Sequence, residues 1–398
     1  MKKCVRNVQE RNIVVTDRNK KMGEKTMKIL IIGGVAAGTK TAAKLKREDR
    51  SAEVTVITKD RDISYAGCGL PYYVGGLIEN REELIVNTPA KYAGLTGVEV
   101  KTGKEAIALC ADKKEVIVKD VETGAEEAYG YDKLVLTVGA SPAKLPIEGT
   151  DLSGVFQMRT PDDAENIRSY VEENQVKKAV VIGAGFIGLE VAENLKAKGI
   201  QVTVIDFASQ ILPNIVDAEV AVYAKKHLLK EGIRVITGTK ADAIMGNDHV
   251  TGVKTSAGLL RCELLIMAAG IRPNTDFLQD SGLEMFKGTI LVDKTMKTNL
   301  EDVYAAGDCV MVTNRITGKP QWSPMGSSAN LEGRTLAQVL TGTKKEYPGV
   351  LGTGVVKLPN LNIGRTGLTE EQAKNAGYDV VTVVAPTDDK AHYYPDAG

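Results

Sequence analysis

The pattern that most restricts this chain is a strand, a glycine turn, a helix and a second strand, written twice at a spacing of 150 residues. The first copy reads "MKILIIGG", then "AAGTKTAAKLKRED", then "AEVTVIT". The second reads "KKAVVIGAGFIG", "LEVAENLKAKG" and "QVTVID". Each copy opens on a short continuous apolar run that ends in glycine, which suits a strand buried on both faces of a parallel sheet. A helical pattern and a second apolar strand follow, so each copy predicts the start of a doubly wound sheet. Two copies imply an α/β chain with two nucleotide-binding domains, each with its own ligand.

The second glycine turn fits G-x-G-x-x-G, with Gly183, Gly185 and Gly188 enclosing Phe186 and Ile187. The first glycine permits the tight turn and the second lets backbone approach a pyrophosphate. The third lets helix and strand pack closely, while the helix N-terminus favours the anion. Asp206 ends the next strand, 18 residues beyond Gly188, where a carboxylate binds a ribose 2′-hydroxyl and repels a 2′-phosphate. NADH is therefore expected over NADPH. A bare glycine-rich turn without a ligand is the blander reading, and the strand, helix and acid around this one argue against it. The first turn departs from the pattern: Gly33, Gly34 and Gly38 are present, but Val35 stands at the middle glycine, before Ala36 and Ala37. Thr58 and Lys59 occupy the strand end where an acid is expected, with Asp60 next. Val35 can still present amides to a phosphate if its φ is negative.

The remaining sequence limits the function classes. In 398 residues, 43% are apolar and 26% charged, as in ordinary globular proteins, and there is room for two or three domains. Lys plus Arg and Asp plus Glu balance at 51 each, so no net field favours nucleic acid or an anionic membrane. Apolar runs such as "LLIMAAGI" are too short to span a bilayer. Five scattered cysteines (Cys4, Cys68, Cys110, Cys262, Cys309) show neither a disulfide framework nor zinc-ligand spacing, which suits a reducing cytoplasm. Three dispersed histidines argue against a metal site. Residues 1–26 are polar and basic without the apolar core of a signal peptide, and read as a disordered extension or a mis-assigned start.

Two later apolar runs, "LVLTVGASP" and "LLIMAAGIRPN", end in glycine and then proline, and "EDVYAAGDCV" sets Asp308 directly after Gly307. From Met27 onward these ordered motifs resemble the pyridine nucleotide–disulfide oxidoreductases, flavoproteins with two Rossmann-like dinucleotide-binding domains. The resemblance implies a discontinuous FAD-binding domain (27–148 and 277–323), an NADH-binding domain (149–276) and an α+β C-terminal dimerisation domain (324–398). That last domain continues further in the family, so the chain is expected to be truncated. Gly307 and Asp308 match a pair that contacts the flavin's ribityl chain. Gly139, Ala140 and Gly270, at the ends of the two apolar strands, join the expected cofactor contacts.

"DISYAGCGLPYYVGG" then gains a context. It resembles the single-cysteine branch of that family: coenzyme A-disulfide reductases, persulfide or polysulfide reductases and NADH oxidases, in which the position of Cys68 is the redox cysteine. Reducing a disulfide needs two sulfurs, so one protein thiol must borrow the second from its substrate. The following Gly-Leu-Pro turn predicts a helix start whose amides lower the Cys68 pKa. Without the flavin motifs, a small buried hydrophobe is the usual fate of a free cysteine. Cys110, Cys262 and Cys309 keep that reading. Glu190 either orients the nicotinamide or is a helix-terminus charge. Lys40, Lys44 and Arg47 share one helix face that can bind CoA phosphates, or be simply a solvated face. The resemblance favours the former, since coenzyme A-disulfide reductases carry an Arg and a Ser matching Arg47 and Ser64. Tyr393 and Tyr394 match a pair lining the substrate thiol; ordinary interface aromatics are the alternative. Gly67 stands where many relatives have Asn, so that contact is missing.

The expectation is an FAD-dependent NADH:disulfide oxidoreductase acting on CoA disulfide as a homodimer, with polysulfide or persulfide reduction almost indistinguishable. An NADH oxidase or peroxidase usually carries a histidine in the first glycine motif, and "GVAAG" has none. A non-catalytic nucleotide-binding module would have no need of a cysteine beside the flavin.

Overall fold

The computed structural model describes residues 26–386 and 393. The first unit runs β1 (Lys28–Ile32), α1 (Ala36–Glu48) and β2 (Glu53–Ile57). A 3-10 turn at Gly67–Gly69 leads into the short helix α2 (Leu70–Gly75), and β3 (Glu99–Lys101) and β4 (Lys133–Leu136) follow. The second unit contains β5 (Val155–Phe156), α3 (Pro161–Glu173), β6 (Lys178–Ile182), α4 (Phe186–Ala197), β7 (Gln201–Ile205), β8 (Arg234–Ile236) and β9 (Leu264–Met267). The chain then supplies β10 (Val303–Ala305), α5 (Gly326–Leu340) and a hairpin of β11 (Gly354–Leu358) and β12 (Leu361–Arg365).

Two five-stranded sheets result, ordered β10-β4-β1-β2-β3 and β8-β7-β6-β9-β5, and their named pairs are parallel. Read outward from the first strand of each unit, the two orders are the same. Register matches too, with Ile31 opposite Val56 and Val181 opposite Val204. The edge strand differs in origin: β10 returns from late in the chain, whereas β5 comes ahead of the strand–turn–helix that opens at β6. Continuous apolar runs make these strands central, since Ile31, Leu134, Val181 and Leu264 are fully buried. Each such side chain contributes about 1.5–3 kcal/mol on leaving water.

Small side chains let α5 lie directly on α1. A Cβ at Gly333 would sit 2.7 Å from the Ala37 carbonyl, and the Thr41 hydroxyl donates to the Gly333 carbonyl at 3.3 Å. The strand expected in "DVVTVVA" does not form: residues 379–385 are without regular structure, and Val381, Val383 and Val384 are exposed. β-branched residues without a partner strand or an apolar surface have nothing to pack on. No helix among the described residues is long and apolar enough to cross a membrane.

Candidate functional site

The two glycine turns superimpose in their backbone logic. Gly33 and Gly183 have φ of +112° and +110°, and a Cβ on Gly38 or Gly188 would lie 1.9 Å from the carbonyl of Gly33 or Gly183. Only glycine fits those positions. Val35, the departure from the pattern, caps α1 at a negative φ of −108°, so the left-handed backbone that favours glycine is not needed there. Gly185 caps α4 at φ −83°, and no atom lies within 4 Å of where its Cβ would be. The open surface at Gly185 and the tight turns beneath both helices fit the approach of a dinucleotide phosphate.

Asp206 sits at the rim of the second turn. Its carboxylate accepts from the Ala184 amide at 2.6 Å and the Ala208 amide at 2.7 Å, which orients it beside the glycines. At the first turn the matching place holds Thr58, buried with its side chain against Gly34, while Lys59 points away to pair with Glu105 at 2.9 Å. Phe186 packs beside Gly354, Ile187 is exposed, and Gly139 and Gly270 take φ of +67° and +101°. Ala140 is buried where residues 140–142 pair antiparallel with 271–273.

Cys68 lies in the 3-10 turn just ahead of α2 and is the exposed thiol among the described cysteines; Cys262 and Cys309 are buried, Cys110 half-buried. Burial pushes the Cys262 and Cys309 thiols up to about 12, which keeps them inert. The expectation of a lowered Cys68 pKa is corrected. Although solvent reaches the residue, protein crowding its sulfur and then the charges of Glu190 and Asp308 raise the thiol pKa, opposed by Arg159. The six-residue α2 supplies too little dipole to reverse this.

Glu190 on α4 faces Cys68 and Tyr72, and the Lys357 amide of β11 donates to its carboxyl. Burial, then the neighbouring Glu193 charge, pushes it up to about 7. Asp308 meets Arg159 at 2.8 Å. Arg159 was missed in the sequence, because nothing marks a lone cation ahead of a capped helix. Glu332 was missed as well: it lies 1% exposed, accepting from the Gly307 amide at 2.7 Å. A signal existed, since a charge interrupts the apolar spacing Ala329, Leu336, Leu340 of α5.

The proposed substrate residues are scattered in their fates. Lys44 pairs with Glu48 at 2.5 Å, which also accepts from Thr341; Lys40 is half-buried and Arg47 exposed. Ser64 adopts φ +49° and its amide donates to the Gly34 carbonyl at 2.9 Å, tying the cysteine segment to the first glycine turn. That left-handed conformation is uncommon for serine and clusters at functional sites. Tyr393 is exposed, while Cys4 and Tyr394 lie outside the described residues.

Comparison with known proteins agrees with this geometry. The family model for pyridine nucleotide-disulphide oxidoreductase matches residues 27–329. The chain is 38% identical to an NADH oxidase of Methanocaldococcus jannaschii over 93% of this chain and 82% of that protein. It is 31% identical to a coenzyme A disulfide reductase of Staphylococcus haemolyticus over 92% of this chain and 82% of that protein. The structure of an NAD-dependent persulfide reductase from A. fulgidus aligns at TM-score 0.89 and 39% identity, covering 94% of this chain and 69% of that one. Two matched glycine turns, an exposed thiol ahead of a short helix, and these likenesses converge: the chain belongs to the pyridine nucleotide-disulphide oxidoreductase family.

Proposed function

We propose that the chain reduces a small disulfide such as CoA disulfide with electrons from NADH, through Cys68 as the single protein thiol. It is an NADH-dependent oxidoreductase that uses FAD, with the first glycine turn, Gly139, Ala140, Gly307 and Asp308 at the flavin, and the second turn, Asp206 and Gly270 at NADH. The carrying observation is the placement of the exposed residue Cys68 where Glu190, Arg159 and Asp308 act on its sulfur.

Bound FAD would supply two-electron transfer between NADH and sulfur, chemistry that the side chains lack, and the first glycine turn, Gly307 and Asp308 would hold it. Cys68, as thiolate, attacks one substrate sulfur, forming a mixed disulfide and expelling the other half as a thiolate. Glu190, protonated up to about neutral pH, is placed to give that leaving sulfur its proton. Reduction of the mixed disulfide by two electrons restores the Cys68 thiolate and frees the second thiol. Two thiols thus leave per NADH, with one further proton drawn from solvent. Lys40 and Arg47 on α1 and the Ser64 hydroxyl are the proposed contacts for the substrate's phosphates. A homodimer built through the C-terminal segment belongs to the same reading.

Persulfide or polysulfide reduction is a second reading, favoured by higher identity to the persulfide reductase than to the CoA disulfide reductase, 39% against 31%. The NADH oxidase likeness is as high at 38%, but the histidine-free first glycine turn supports sulfur over oxygen chemistry. Anaerobic NADH turnover with CoA disulfide, polysulfide, peroxide and, separately, oxygen decides among them. CoA disulfide is expected to be fastest, and Cys68→Ser to lower its rate at least about 1,000-fold. A serine variant as fast as the parent overturns the thiol mechanism.

A further inference from the structure

The Gly307–Asp308 pair is gripped from three sides by residues that the glycine motifs do not include. The Gly307 amide donates to the Glu332 carboxyl at 2.7 Å, the Trp322 indole donates to the Asp308 carbonyl at 2.7 Å, and Arg159 holds the Asp308 carboxylate at 2.8 Å. Gly307 has φ +88°, and a Cβ there would meet that of Ala37 at 3.1 Å. This peptide therefore touches the N-terminal turn of α1, where the dinucleotide phosphates are expected. Glu332 is 1% exposed, and Tyr347, 4% exposed, donates to it. Ser328 donates to Tyr347 and lies 3.1 Å from the Ser323 hydroxyl, so a hydrogen-bonded row runs from Ser323 to Gly307.

Resting on the flavoprotein reading above, we infer that Glu332 is a positioning residue for the FAD site: it fixes Gly307 and, with it, Asp308. Among the groups facing Glu332, Asp308 and Cys309 follow β10, Tyr347 comes from beyond α5, and Lys40 of α1 lies beside the adjoining Gly333. No cation among the described residues forms an ion pair with it. Burial pushes the carboxyl up to about 7. Ionised, it would keep the Gly307 and Tyr347 hydrogen bonds but, with no cation paired to it, would add a like charge next to Asp308 and near the α1 turn proposed to receive phosphates, opposing the cofactor. FAD retention then falls as pH rises through about 7.

The test uses the purified full chain with its flavin, diluted serially at about pH 6 and pH 8.5. Free flavin fluorescence reads the released fraction, and emission from Trp322, the one tryptophan, reads the clamp itself. The wild-type FAD dissociation constant is expected to rise about tenfold between the two pH values, while Glu332→Gln, which keeps an acceptor for Gly307, changes less than about twofold. Glu332→Leu, with no acceptor, is expected to hold FAD about tenfold more weakly at both. A pH response in the glutamine variant equal to wild type, or a folded leucine variant that keeps FAD as tightly as wild type, overturns the inference. Should the leucine variant fail to fold by circular dichroism, the glutamine comparison decides alone. A wild-type chain that takes up no flavin overturns the inference together with the reading it rests on; identical profiles in flavin-loaded proteins overturn the inference only.

Discussion

The Cys68 sulfur is tuned by its neighbours more than by the helix it precedes. Removing the Glu190 charge by Glu190→Gln is expected to lower the thiol pKa, because that charge raises it. Alkylation of Cys68 by iodoacetamide at about pH 7.5 should then quicken roughly threefold, while turnover slows for want of the proton donor. Unchanged alkylation would separate the two groups. Glu332 makes a second residue-scale prediction. Its folded pKa of about 7 lies above the ordinary 4.5, so its contribution favours the fold below about pH 4.5 and is lost as pH rises through 7. Thermal melts should show Glu332→Gln gaining on wild type with rising pH, by on the order of 3 kcal/mol at pH 8, and converging with it at pH 5. A constant offset would contradict the assignment. That Cys68 sits in a turn just ahead of a short helix was legible from its glycine-proline surroundings. Its raised pKa was not, because Glu190 and Asp308 lie 122 and 240 residues further along the chain and meet it only after folding.

At the scale of elements, the glycine turns were the most legible part of the sequence. Steric exclusion acts locally, so Gly33, Gly38, Gly183 and Gly188 announce a strand–turn–helix whatever the rest of the chain does. A methyl group on Gly188 would overlap the Gly183 carbonyl. Gly188→Ala should cost about 3 kcal/mol of local stability and remove NADH use, leaving the flavin spectrum intact. Gly38→Ala should instead release flavin, and reversal of the two phenotypes would exchange the proposed ligands of the two sheets. Elements whose formation depends on distant partners were less legible. The valines at 379–385 have strand propensity but no neighbouring strand, and Arg159 gains meaning only when β10 brings Asp308 to it.

For the whole molecule, two sheets of one strand order bring a hydride donor's site and a thiol's site to the same chain. Asp206, fixed by two amides, is the proposed selector of that donor. Asp206→Ser should lower kcat/KM for NADH about tenfold and narrow the preference over NADPH, measured as the ratio of the two values. The central claim is that one protein sulfur works by borrowing its partner from the substrate. Peptide mass mapping after exposure to CoA disulfide tests it most directly. The account predicts one CoA-sized disulfide adduct on the Cys68 peptide, lost when NADH is added and accompanied by two thiols per NADH. No adduct at Cys68, or an adduct that persists through NADH turnover, would contradict it.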